Sequence, residues 1–591
     1  MLVGPVFNRE ITTTPRSWRL YLSRAIYVAS LFGLVLTAWL ILIGSQEVRG
    51  LGDLSRFGSA VFALLAPIQL AMAIAFSALL TAAAVAQEKD RRTLDLLLMT
   101  NLTSVELVLG KLLASMLSVL VLIVAAIAML VLITLLGGVS YSQVLRVVAV
   151  TLIAAVVSGS LGSTIALWRE KTFQSLALTT LLLVMWLLGG EMIAAGVFGE
   201  SWSGITAEHW AIVLTPLRAM VAAVRPIQAD VAALTWCGGP VALFLIVATA
   251  AAVLLNIWAI VRVRVWNPTQ KIERTTHIAD SEAAAGSTAQ VNPRNSRAVW
   301  DNPILWREIC TWAYGKKIVV VKIAYLVIFA ICAAALVASF SDAESSVARF
   351  ASPFPTAAKP LIPLMVLGLV LVNALAVTSL TNERDLRALD LLLVTDLTPK
   401  EIVYGKLGGV FYNSKEMILL PIALSVILWY SNHMTTENLV FLVLAFVVMN
   451  GFVAMLGIHS GMTYAESRTA VGVSLSTVLF LLLGIAVCMR MMMAFQSSFT
   501  YQLQAFAAFM LGGVAGLFLA LGYRNPSRAI EIASFTTPFA TFYVITSFLQ
   551  GNFGATFLVT VATYGFATAA MLIPAIDEFD VATGRTTGQG P

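Results

Sequence analysis

Long apolar runs broken by short polar joints fill most of this 591-residue chain. The runs lie near 20–43, 60–86, 107–137, 143–167, 172–198 and 238–262, and again near 318–340, 360–381, 403–430, 438–463, 469–492 and 553–574. Each is close to or above the roughly 20 residues a helix needs to cross a hydrocarbon layer about 30 Å thick. They are continuously apolar, whereas barrel strands would alternate, so the pattern predicts membrane-crossing α-helices. A further apolar stretch at 501–523 has no counterpart in the first set, and the side on which the chain ends depends on it. Segments around Thr215-Pro216 and Thr537-Pro538 span poorly and read as re-entrant or interfacial elements. The expectation is an all-α, polytopic membrane protein with about twelve spans.

Composition agrees with the pattern. The chain is 59% hydrophobic and 12% charged, against about 25% charged in soluble domains. Its polar N-terminal stretch, Met1 to Trp18, leads into a run without a cleavage-like end, so no signal peptide is expected. With the N-terminus placed inside, 26 Lys and Arg flank the cytoplasmic ends of the spans, 8 flank the outer ends and 3 depend on the 501–523 stretch. That bias orients the chain and accounts for its net charge of +6 without nucleic acid. The four cysteines are dispersed and form neither a metal-binding nor a disulfide pattern.

The chain also repeats itself. Gln87–Leu112 reads QEKDRRTLDLLLMTNLTSVELVLGKL and Asn382–Leu407 reads NERDLRALDLLLVTDLTPKEIVYGKL, identical at 16 of 26 positions with a constant offset of 295. Shared hydrophobicity cannot produce such a match between polar segments, so it marks internal duplication. Weaker echoes flank it: GPVFNREI at 4–11 with NPILWREI at 302–309, Lys171-Thr172 with Arg468-Thr469, and Thr215-Pro216 with Thr537-Pro538. Six spans separate the copies, an even number, which predicts parallel repeats with both copies on one face. Residues 1–262 and 301–591 are then the two membrane halves, joined by a polar cytoplasmic linker at 263–300.

Within each copy, Leu94, Leu97 and Leu98, or Leu389, Leu392 and Leu393, stand at helical spacing among charged residues. Glu88, Asp90, Arg92 and Asp95 in the first copy match Glu383, Asp385, Arg387 and Asp390 in the second. This is a short amphipathic helix. Thr103 with Glu106, and Thr398 with Glu401, form capping boxes that start the next helix, which carries Lys111 or Lys406 in its early turns. Pro399 suits the first helical position, where its missing N–H costs nothing. Interfacial helices with snorkelling lysines would share these features, but two copies on one face favour a docking surface for a partner.

The doubled run of Glu, mixed charges, Leu-Asp-Leu-Leu, Thr-x-Leu-Thr, x-x-Glu and Gly-Lys-Leu resembles the cytoplasmic signature of ABC-2-type ABC transporter permeases. The resemblance implies six spans per half, an amphipathic elbow helix before the first span, and a coupling helix between the second and third. It places elbows around Pro5–Arg24, with Arg9 and Glu10, and around Pro303–Lys317, with Arg307 and Glu308. Coupling segments fall at Glu88–Thr100 and Glu383–Thr395. It also implies two copies of a separate ABC ATPase subunit carrying the ATP and Mg, and an inner-membrane exporter with a cytoplasmic N-terminus. Having both halves on one chain departs from the many members that dimerise.

Gly110-Lys111 and Gly405-Lys406 lack the preceding Gly and following Ser/Thr of a phosphate-cradling loop, and each sits in a helix. No cofactor and no catalysis are therefore expected in this chain. Two other transport readings stay open: an ion-coupled secondary carrier and the scaffold of an ABC-powered surface apparatus. A membrane enzyme is disfavoured, because no HExxH, DDxxD or paired intramembrane aspartates occur. Ionisable groups at membrane depth are functional candidates. Glu191, and Lys415 with Glu416 where they interrupt the ninth span, are candidates for a substrate path. His459, Asn373 and Asn450 read as packing residues.

Overall fold

The computed structural model describes residues 7–8, 18–45, 50–91, 93–194, 201–202, 205–226, 239–267, 300–310, 318–342, 358–386, 388–495, 499–523, 527–577 and 579. It is almost entirely helical. The first set of helices comprises α1 (Trp18–Ser45), α2 (Leu51–Asp90), α3 (Thr93–Leu98), α4 (Ser104–Thr134), α5 (Tyr141–Trp168), α6 (Thr172–Ala194), α7 (Ala207–Leu214), α8 (Pro216–Val224) and α9 (Pro240–Trp266). A two-residue hairpin, Ser201–Trp202 paired with Ile205–Thr206, precedes α7. The second set comprises α10 (Pro303–Cys310), α11 (Ile318–Asp342), α12 (Leu361–Asp385), α13 (Ala388–Leu393), α14 (Pro399–Asn413), α15 (Lys415–Tyr430), α16 (Thr436–Thr463), α17 (Ser467–Phe495), α18 (Phe499–Leu517), α19 (Arg528–Leu549) and α20 (Phe553–Asp577).

Thirteen of the described helices are long and apolar enough to cross a membrane, and the bent pair α14–α15 makes a fourteenth. All twelve expected spans are among them. The surplus is α18 and α19, which replace the short broken pair α7–α8 of the first set. Thr215-Pro216 fits the expectation of a non-spanning element, with Pro216 opening α8. Thr537-Pro538 instead lies inside the continuous 22-residue α19. The sequence around it is mildly apolar throughout, and the proline does not end the helix because tertiary packing supports it.

Small residues set the tightest helix pair. Ala78, Ala82, Gly159 and Gly162 let α2 and α5 approach until the Ser77 hydroxyl reaches the Ala155 carbonyl at 2.6 Å and the Thr81 hydroxyl reaches that of Gly159 at 3.1 Å. Without a hydrophobic force between helices in lipid, such close packing and hydrogen bonding supply the attraction. In the second set α12 meets α16 in the same manner, across Ala376 and Gly457. Asn373 ties three helices: its amide donates to Val453 O at 2.8 Å and its oxygen accepts from Ser474 at 3.0 Å. Asn450 turns back to Phe446 O on its own helix.

The two sets are interlocked. The second spanning helix of each packs on the fifth of the other: α2 on α17, and α12 on α6. The hydrophobic cores follow this exchange. Phe173, Leu176 and Leu181 of α6 belong to the core built mainly by the second set. Val487, Met491 and Phe506 of α17 and α18 belong to the one built mainly by the first.

The α14–α15 junction bends by 54° at Ser414. Two turns on, Pro421 has no N–H to give the carbonyl four residues back, that of Met417. The buried Tyr325 of α11 donates to that oxygen instead, at 3.2 Å. The corresponding α4 is one unbroken helix of 31 residues.

Candidate functional site

Each copy of the repeated segment starts on the last turn of a spanning helix, α2 or α12, and three consecutive charged residues have partners there. The first is the glutamate. Glu88 pairs with Lys111 of α4, and Glu383 pairs with Lys406 of α14 at 2.6 Å. Helices α10 and α14 pack closely because Gly405 and Gly409 leave room for Ile304 and Glu308. That contact brings Glu308 to 2.6 Å from the Lys406 ammonium, while Arg307 reaches Glu383. The Lys406 and Glu308 side chains are each 2% exposed, whereas Glu88 is 40% exposed. The Lys406–Glu308 pair is therefore sealed, whereas in the first set Lys111 is 6% exposed and only Glu88 is partly open to water among the described residues.

The second residue is basic. Lys89 donates to Leu167 O at 2.7 Å, and Arg384 donates to Gly461 O at 3.0 Å. Both carbonyls belong to the last turn of the fourth spanning helix of their set, α5 or α16. The end of a helix leaves carbonyls without an intrahelical donor and carries partial negative charge, so a cation there satisfies both.

The third residue is an aspartate, and here the copies differ. Asp90 accepts from the Thr172 hydroxyl at the start of α6. Asp385 accepts from Arg91 of the first copy, from Nε at 3.3 Å and Nη2 at 3.2 Å. This contact places both copies at one end of the helix bundle.

After these residues come the short helices α3 and α13. Leu94 and Leu98 face inward from α3, and Leu389 and Leu393 pack on the second set. The outward positions are apolar as well. Leu96, Met99 and their counterparts Leu391 and Val394 are between 58% and 86% exposed. The next helices then begin with closed capping boxes. Glu106 N–H donates to the Thr103 hydroxyl at 3.3 Å while Thr103 N–H donates to the Glu106 carboxylate at 3.0 Å. Glu401 and Thr398 repeat this at 3.3 and 2.8 Å, with Pro399 in the first turn.

Of the other residues singled out in the sequence, Asp95 is half-buried on α3. Arg9, Glu10, Arg92, Arg387 and the Asp390 side chain lie outside the described residues, as does most of the first elbow segment. The second elbow segment is helical over Pro303–Cys310. Glu191 sits 19 residues beyond Thr172 on α6, about 28 Å away by helical rise, at the opposite end of the bundle. There it receives Arg218 of α8, with Nε at 2.9 Å. The carboxylate raises the Arg218 pKa against the opposing effect of partial burial. Glu416 pairs with Lys322 of α11 at 2.8 Å, and Lys415 lies 4.4 Å over the Tyr412 ring. These three candidate path residues do not converge on one site. His459 is buried, its Nε2 3.4 Å from Leu521 O.

Sequence reasoning missed the tasks of Lys89, Arg384, Arg91, Lys322 and Arg218. For Lys89 and Arg384 a signal existed: a basic residue follows the glutamate in both copies, as the lysine follows it by 23 positions in both. Among the described residues, no group of three or more His, Cys, Asp or Glu gathers as metal ligands.

Among the described residues, at least thirteen helices long and apolar enough to span, with charged side chains fastening helix ends on one face, define a multi-pass membrane protein. The family described as ABC-2 family transporter protein matches residues 5–265, and this match supports the chain as a permease component of an ABC transporter. No curated protein and no solved structure matches it.

Proposed function

We propose that this chain is a two-half permease of an ABC exporter and docks one ATPase subunit under each repeated segment. Residues 1–262 and 301–591 are the halves and 263–300 the linker. ATP and Mg belong to the partner subunits, and the repeat face is cytoplasmic in an inner membrane with the N-terminus inside.

The single observation that carries this reading is the pair of equivalent apolar tips, Leu96 with Met99 and Leu391 with Val394. They are exposed next to the charged residues of each repeated segment. A partner that covers them gains about 25 cal/mol per Å² of apolar surface removed from water. Behind the tips, the glutamate of each copy ties the second spanning helix to the third, and the following basic residue ties it to the fourth. A push on either short helix therefore moves three spans together, which is how ATP-driven closure of the partners would rock the halves. Glu88 and Glu383 act as links inside the chain, and the apolar tips make the contact.

The test is co-purification of the ATPase subunit with the tagged full chain from its native membranes. Leu96→Asp together with Leu391→Asp is expected to abolish it while the chain still inserts and elutes as one species. Undiminished co-purification would refute docking at these tips.

A further inference from the structure

We propose that Arg91 and Asp385 form a latch that holds the two helix sets together at the repeat face, the one such latch among the described residues. The two aspartates of the repeat are equivalent by sequence, at positions 90 and 385. Asp90 is held within its own set by Thr172. Asp385 has Thr469 at the equivalent position, but that hydroxyl is turned to Glu466 at 3.1 Å. Asp385 instead crosses to the other set and takes both donors of Arg91. The asymmetry has a sequence cause: the residue matching Arg91 in the second copy is Leu386, so no reciprocal pair can form.

Gln87 extends the same layer. With its amide oriented to suit its neighbours, the oxygen accepts from Arg91 Nη2 and from the Arg468 N–H, each at 3.1 Å. Arg468 begins α17, the second-set helix that packs on α2. Gln87, Arg91, Asp385 and Arg468 thus form a polar layer across the end of an otherwise apolar seam. The Asp385 side chain is 7% exposed and Arg91 45%, so water reaches the layer from one side only. Parting the sets at this face breaks the layer and returns Asp385 to its own set, in the arrangement Asp90 already adopts. At the repeat face this one charge-assisted contact adds to the packing that joins the sets, and its loss shifts the open-to-closed ratio.

The test needs no partner, so it fails independently of ATPase docking. Ala83 of α2 is 4% exposed in the core shared with the second set. Ala83→Cys, in a full chain whose native cysteines Cys237, Cys310, Cys332 and Cys488 are changed to serine, reports opening by its rate of reaction with a hydrophilic maleimide in nanodiscs. Asp385→Asn and Arg91→Gln are each expected to speed labelling about three- to five-fold, the range for a partly exposed ion pair. The exchanged pair, Arg91→Asp with Asp385→Arg, is expected to restore the slow rate. Unchanged labelling in the single variants overturns the latch, and so does an exchanged pair that labels as fast as they do. Should Asp385→Asn fail to fold, Arg91→Gln and the exchanged pair decide the matter, because Arg91 is half exposed.

Discussion

Removing the Lys406 ammonium should harm this protein far more than removing that of Lys111, although the two lysines are equivalent in the repeat. In Lys406→Met, Glu308 and Glu383 lose a cation 2.6 Å from each. Glu308 is 2% exposed and cannot recruit water, so a buried carboxylate is left with Arg307 at 3.5 Å. Breaking a buried pair in this way costs about 3–5 kcal/mol. Glu383, at 14% exposure, is only slightly better placed. In Lys111→Met, Glu88 loses a cation but stays 40% exposed to water. The cost there is closer to ~1 kcal/mol. At about 2–4 °C per kcal/mol for a body of 150–250 residues, the apparent melting midpoint should fall roughly 10 °C for Lys406→Met and about 3 °C or less for Lys111→Met. The assay is the fraction of monodisperse protein remaining after heating in detergent, at one fixed heating rate, since unfolding of such proteins is irreversible. Adding Glu308→Gln and Glu383→Gln to Lys406→Met removes the stranded charges and should recover at least half of the loss. Equal shifts for the two lysines, or no recovery, would refute the reasoning.

Two further outcomes test the packing. In α16, Gly457→Ala puts a methyl 2.6 Å from the Ala376 Cβ and 2.9 Å from Asn373 O, so it should destabilise by about 1–3 kcal/mol. Gly451→Ala, six residues earlier with nothing within 4 Å, should be neutral or stabilising by up to about 1 kcal/mol from helix propensity. Melting midpoints of the two variants check this directly. Tyr325→Phe leaves the Met417 carbonyl without its donor. A loss of about 1 kcal/mol is expected, which Pro421→Ala in the same chain should largely restore by returning the helical N–H.

Much of the organisation was legible because it rests on local rules. A run of apolar residues spans wherever it is placed, since its backbone is satisfied within itself. The capping boxes at Thr103 and Thr398 depend on three residues of spacing, and both are closed. The family likeness rests on a doubled polar motif that hydrophobicity alone does not generate. Even α18, present in the sequence as an unplaced apolar stretch, announced itself by composition.

The partners of the charges were not legible. Glu88, Lys89 and Asp90 are adjacent in the chain, yet one helical step sends each to a different helix, toward α4, α5 and α6 in turn. Sequence read them as one solvated, partner-facing cluster, because nothing local distinguishes a charge that meets a protein carbonyl from one that meets water. Whether Glu308 is sealed depends on how α10 lies on the glycines of α14, some 100 residues away, and that is decided by packing. Likewise the exchange of α6 and α17 between the two cores is a property of the assembled bundle. The chain's own letters determined which segments are helices and that one motif occurs twice. The tertiary structure alone decided that the three consecutive charges of each copy pair within the chain and that Leu96 and Leu391 face outward, because burial and pairing are relations between distant segments.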